Sequence, residues 1–169
     1  GANCGGCGYP GCAGFAAAVA EGKAPVSGCI VGGNPVAEKI SEIMGVAAQS
    51  VSPLVAVVYC QGDNEQAAKI AEYEGITDCA ALNMLGGDKE CTYGCLGLGS
   101  CVRACKFDAM YMNDKGLPVV ITEKCTGCGA CVRACPRGVI DLAPADKEVH
   151  VRCRSYDKGP VVRKYCKVG

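Results

Sequence analysis

Cys125, Cys128, Cys131 and Cys135 stand in the spacing C-x2-C-x2-C-x3-C, with Pro136 directly after. Three thiolates on one tight loop can hold three irons of a cubane cluster. The fourth, at the start of a helix, points the other way and serves a second cluster where two are present. A zinc ribbon shows two well-separated C-x2-C pairs with no third Cys two residues on. The chemistry is therefore that of iron–sulfur clusters, one-electron transfer. A second group opens the chain. Cys4, Cys7 and Cys12 are spaced C-x2-C-x4-C, and Cys29 follows later. Gly5, Gly6 and Gly8 let the backbone wrap closely round a cluster and turn its N–H groups toward the sulfurs. A closed Cys4 site is expected here, a [4Fe–4S] cluster with structural zinc as the alternative.

Residues 91–106 repeat the first motif with one departure. Cys95 matches Cys125, Cys101 matches Cys131 and Cys105 matches Cys135, but Leu98 stands where Cys128 would be. Cys91, four residues before Cys95, is expected to supply the missing thiolate. The crossed arrangement then gives one cluster on Cys91, Cys95, Cys101 and Cys135, and another on Cys105, Cys125, Cys128 and Cys131. Lys106 replaces the proline that Pro136 keeps. Val102–Cys105 recurs as Val132–Cys135, and residues 106–110 parallel 136–140, so each half reads as loop, short helix and short strand, the mark of a duplication. Twelve thiols are thereby assigned to three [4Fe–4S] clusters. Cys60, Cys79, Cys153 and Cys166 remain, the number a fourth metal site requires. A shared site, a close pair or disulfide, and unrelated buried thiols stay open for them.

The elements that must position these thiols read as an α+β chain. Residues 1–33 form a small iron–sulfur module, with a helix begun by Pro10 and ended by Gly22 and Pro25. Residues 34–88 form a βαβ-like spacer: a helix capped by Asn34, a strand at 54–59, a helix at about 64–74 after Asp63, and a short strand at 76–82. Parallel strands would bring Cys60 and Cys79 to one sheet edge. Residues 89–145 form a two-cluster, bacterial ferredoxin-like domain, and 146–169 a basic C-terminal segment. His150, the one histidine, sits in a strand-like stretch at 148–152 and reads as structural. No nucleophile–base constellation and no phosphate-binding glycine fingerprint is present.

Sixteen Cys in 169 residues would suit a disulfide scaffold in a secreted chain. No signal-peptide pattern opens this one, and the tight Cys spacing suits metal centres, which points to a reducing compartment. Trp is absent and Phe occurs twice, so clusters must replace much of an aromatic core, and metal-free protein is expected to be largely unfolded. Net charge is zero but uneven: residues 1–90 carry 4 Lys/Arg against 10 Asp/Glu, and residues 145–169 carry 7 against 3. Such asymmetry suggests docking surfaces, not nucleic-acid binding. No apolar run approaches the ~18 residues of a membrane span. Beginning at Gly1 and ending on Lys167-Val168-Gly169, the chain reads as a piece of a longer protein.

Together, NCGGCGYPGC with its distant Cys29, and CTYGCLGLGSCVRAC followed by KCTGCGACVRACP, resemble the B-type subunit of the Rnf complex, the ion-translocating ferredoxin:NAD+ oxidoreductase of bacterial membranes. The resemblance covers essentially the whole chain. It implies an electron-transfer subunit, without a complete active site of its own, that accepts electrons from reduced ferredoxin and passes them to other subunits. It also implies a place at the cytoplasmic face of the plasma membrane, with membrane contact only through an upstream anchor outside this chain. The N-terminal module also resembles the cluster domain of corrinoid iron–sulfur methyl-transfer proteins, and a metal-stapled binding module without redox role is a third reading.

Overall fold

Small residues shape the N-terminal part of the computed structural model, which describes residues 1–169. Helix α1 (Gly11–Ala20) follows Pro10, whose φ of −73° suits a helix entry. It stops before Gly22, which is in the left-handed region. Phe15, Ala18, Val19 and Ala24 make a small core with Cys7, Cys29 and Ile40 packed on it, and the Tyr9 ring tilts against Phe15 at 5.9 Å. Helix α2 (Gly33–Met44) ends at left-handed Gly45. Helix α1 lies where the sequence put it, whereas α2 begins at Gly33, so Asn34, expected as its cap, sits inside the helix and accepts from the Val51 N–H at 3.0 Å instead.

The spacer does not form a βαβ unit. Strand β1 (Leu54–Val58) pairs antiparallel with β4 (Ile140–Pro144), Leu54 opposite Pro144 and Val58 opposite Ile140. The strand was legible, but its partner lies in the second half of the duplicated region. Residues 64–74 are not helical. Their Ala67, Ala68 and Ile70 have helical spacing, but Ala67 is held in a bridge to Cys166 and Lys69 in one to Lys89. The expected strand at 76–82 is instead helix α3 (Cys79–Met84). Asp78 caps it, accepting from the N–H groups of Ala80 and Ala81 at 2.9 and 3.1 Å. Cys60 and Cys79 therefore share no sheet edge. Residues 148–152 form no strand either, and the His150 ring meets Tyr59 edge-on at 6.0 Å.

The duplication is visible in the backbone. Helix α4 (Ser100–Arg103) and helix α5 (Ala130–Ala134) each follow a left-handed glycine, Gly99 at φ 70° and Gly129 at φ 72°. Arg103 donates Nη1 to the Leu98 carbonyl at 2.8 Å, and Arg133 donates Nη1 to the Cys128 carbonyl at 3.3 Å. Leu98 thus keeps the loop geometry of Cys128 without its thiol. Strands β2 (Met110–Met112) and β3 (Pro118–Val120) pair antiparallel. The main core lies among these pieces: Ala56, Met110, Val139 and Ile140 with Cys95, Cys101 and Cys131. Helix α6 (Gly159–Tyr165), with Pro160 in its first turn, closes the chain.

Candidate metal centres

Cys105, Cys125, Cys128 and Cys131 line one cavity, together with Ala56 and Leu142. Cys125 and Cys128 come from the loop before α5, Cys131 from the first turn of α5, and Cys105 from beyond the end of α4. The Ala56 N–H donates to Cys125 Sγ at 3.3 Å. Burial pushes the Cys131 thiol up to about 11, with the Cys125 and Cys128 thiols adding to it. The spacing expects these same four thiols to share a cluster.

The lining of the second cavity differs from the grouping that the spacing suggested. It is lined by Cys79, Cys95, Cys101 and Cys135, and Cys91 is not among its walls. Burial pushes Cys95 up to about 12. It pushes Cys101 up to about 11, followed by the neighbouring Cys79 and Cys135 thiols. Cys79 arrives because α3 is fastened to α4. Its N–H donates to Ser100 Oγ at 2.8 Å, and Ser100 Oγ donates to Asp78 Oδ2 at 2.9 Å. The Leu98 side chain packs on Cys79, Leu82 and Leu96, so the residue lacking a thiol helps seat the helix that brings one. Cys91 turns away to pack on Ala67, Val162, Tyr165 and Cys166.

A third cavity is lined by Cys60, Cys91, Cys153 and Cys166. This cavity holds Cys91 where the sequence reading grouped Cys79 with Cys60, Cys153 and Cys166. All sixteen cysteines are free. In the N-terminal module Cys4, Cys12 and Cys29 line an apolar cavity, and Cys7 packs beside Cys29 on the same core. Asn3 Oδ1 accepts from the Cys12 N–H at 2.9 Å and holds the loop. Gly6 lies against the second module: a Cβ there would stand 3.2 Å from Cys128 Cβ and 3.3 Å from its carbonyl oxygen.

These sets fit iron–sulfur clusters in their donor chemistry. Every donor is a thiol, and backbone N–H groups reach Cys125 and Cys60 sulfurs, a contact that tunes such clusters. Thiols pushed up by burial ionise only against a cation, so metal binding must strip their protons. No group of three His, Cys, Asp or Glu closes round a single ion. A cubane needs no such group, because each of its thiolates holds a different iron. Spacing could not reveal Cys79, which lies far upstream of the thiols it shares a cavity with, while Cys91 lay close at hand.

Comparison with known proteins agrees with this chemistry. Residues 1–31 match a family described as putative Fe-S cluster, and residues 118–141 match the 4Fe-4S binding domain. Over 98% of its length the chain is 49% identical to the B-type subunit of the Na(+)-translocating ferredoxin:NAD(+) oxidoreductase complex of Acetobacterium woodii, covering 50% of that protein. It is 49% identical, over 98% of its length, to the proton-translocating counterpart of Clostridium ljungdahlii, covering 59%. Over 100% of its length it is 47% identical to the B-type subunit of the ion-translocating oxidoreductase complex of Methanosarcina acetivorans, covering 64%. The chain thus spans half to somewhat under two thirds of these relatives. The resemblance to the B-type subunits holds along nearly the whole chain, and the corrinoid reading finds no support in these relatives. No helix is long and apolar enough to cross a membrane.

Proposed function

We propose that this chain, related along nearly all its length to the B-type subunits of ion-translocating ferredoxin:NAD(+) oxidoreductases, relays electrons within such a complex. The donor is reduced ferredoxin and the recipients are other subunits of the complex. The chain forms a peripheral part of that assembly, at the cytoplasmic face of the membrane. It carries no complete active site. When bound, [4Fe–4S] clusters supply one-electron carriers whose potentials respond to charge, burial and hydrogen bonds to sulfur. Their ligands are Cys4, Cys7, Cys12 and Cys29 in the N-terminal module, Cys105, Cys125, Cys128 and Cys131 in the middle, and Cys79, Cys95, Cys101 and Cys135 beyond.

The observation that carries this reading is contact between successive thiol sets. Gly6, in the N-terminal loop, touches Cys128. Cys131 then shares one buried core with Cys95 and Cys101. Sets so close suit electron transfer. The Ala56 N–H, aimed at Cys125 Sγ, favours the more negative, reduced form. The test is anaerobic reconstitution with iron and sulfide, followed by rapid mixing with reduced ferredoxin. Brown protein that bleaches on mixing is the expected result. Colourless protein, or brown protein that ferredoxin leaves unbleached while dithionite bleaches it, counts against the reading.

A further inference from the structure

We propose that Cys60, Cys91, Cys153 and Cys166 hold a fourth [4Fe–4S] cluster, at the end of the row opposite the N-terminal module; this rests on reading the chain as an iron–sulfur electron carrier. The four thiols line one cavity, yet they come from four separate stretches. Cys60 follows β1, Cys91 precedes the loop of the neighbouring set, Cys153 lies in the irregular segment after β4, and Cys166 follows α6.

Long-range contacts gather them. The Ala68 N–H donates to the Tyr165 carbonyl at 2.7 Å, and the Lys167 N–H donates to the Gln66 carbonyl at 3.0 Å. These bonds fasten the end of α6 beside residues 66–68. Arg154 pairs with Asp141 at 2.6 Å and lies over the Tyr59 ring at 5.1 Å, which holds Cys153 next to Cys60. The wall between them is bare. A Cβ on Gly62 would stand 3.2 Å from Cys166 Sγ and 3.8 Å from Cys60 Sγ, and one on Gly94 would stand 3.4 Å from Cys91 Sγ. Both Cys60 and Cys166 sulfurs therefore face the same glycine.

Two further features suit a negatively charged cluster. The Cys95 N–H donates to Cys60 Sγ at 3.4 Å, a hydrogen bond to sulfur that also joins this site to the Cys79, Cys95, Cys101 and Cys135 set. Lys89, only 3% exposed, donates Nζ to the Gly62 carbonyl at 2.9 Å. Its charge is shared with the nearby Asp63 carboxylate, which it helps hold below the usual range, and it stands behind the same glycine wall. Packing of small hydrophobes does not account for the group, because Cys60, Cys91 and Cys153 are only half-buried. The site accepts one electron and passes one on, and no bond is made or broken.

The test uses the full chain, reconstituted anaerobically, with iron and acid-labile sulfide counted per chain and EPR recorded after reduction. The wild type is expected to hold about sixteen irons, four per cubane. Cys153→Ser and Cys166→Ser are each expected to lower this by about four and to remove the same spectral component. Cys166 is buried and Cys153 is not, so a folding defect in one variant leaves the other informative. Cys105→Ser is the control for the underlying reading. If it loses iron while both other variants keep the full count and spectrum, the fourth site is overturned alone. If none of the three loses iron, the electron-carrier reading falls as well. One tightly held zinc per chain that is lost in Cys166→Ser overturns the cluster in favour of a single ion.

Discussion

A single residue, Leu98, separates the two halves of the duplication chemically. Its carbonyl is held by Arg103 as the Cys128 carbonyl is held by Arg133, so the loop is retained and only the thiol is gone. The vacated position is filled by packing: Leu98 lies on the α3 residues Cys79 and Leu82. This makes a direct exchange testable. Cys79→Ser is expected to lose about four irons and the same EPR component that Cys95→Ser loses. Adding Leu98→Cys to it is expected to restore both, because the loop already presents that position as it presents Cys128. Cys91→Ser is expected to remove a different component. Intact iron in Cys79→Ser, together with loss of the Cys95 component in Cys91→Ser, would return the ligand to Cys91.

At the scale of elements, what was legible followed local spacing, and what was not depended on contacts between distant stretches. The loops and helices of the repeat, α1 after Pro10 and α2 up to Gly45 all have their causes within a few residues. Strand β1 could be read from its apolar run, but its pairing with β4 joins residues about half the chain apart. The stretch 76–82 was ambiguous because a short apolar run suits strand or helix alike, and Asp78 decided it by capping α3. The left-over thiols illustrate the same limit, since Cys79 and Cys91 are assigned by which side of the chain's excursion they face. Asp78 therefore has a function at a distance. Backbone bonds from Ala81 and then the Ser100 hydroxyl hold its carboxyl below the usual range, so it is charged at neutral pH. Asp78→Ala removes the cap and the tie to Ser100, and is expected to release iron from the second ferredoxin-type set at least several-fold faster under a chelator. Asp78→Asn keeps an acceptor for the helix and is expected to retain most of it. Equal iron-release rates for wild type and Asp78→Ala would show that α3 is seated without its cap.

Over the whole molecule, little apolar core stands behind the cysteines: 32 of 169 residues are buried, and Leu82, Ile140 and Val139 are the largest that are fully enclosed. This suits a fold that depends on its metal centres. Charge is unevenly distributed. The acidic excess lies in residues 34–90, while residues 1–33 carry one Glu and one Lys, and Lys147, Arg152, Lys158, Arg163, Lys164 and Lys167 are exposed on the C-terminal segment. Arg154 is excluded from that surface because it is paired with Asp141. Arg152 also lines the cavity of Cys60, Cys91, Cys153 and Cys166, so the positive surface lies beside the thiols at that end of the row. An acidic ferredoxin approaching there would be steered by long-range attraction, which can raise association rates about 10-fold or more at low salt and fades as the Debye length shrinks to ~8 Å at physiological salt. The pair Lys164→Glu and Lys167→Glu reverses two exposed charges without touching a proposed ligand. In rapid mixing with reduced ferredoxin, the double variant is expected to react about 10-fold more slowly than wild type at low salt. The two rates should converge as salt is raised, with iron content unchanged. A wild-type rate that is flat across the salt range, or a double variant that matches wild type at low salt, would place ferredoxin docking on another face.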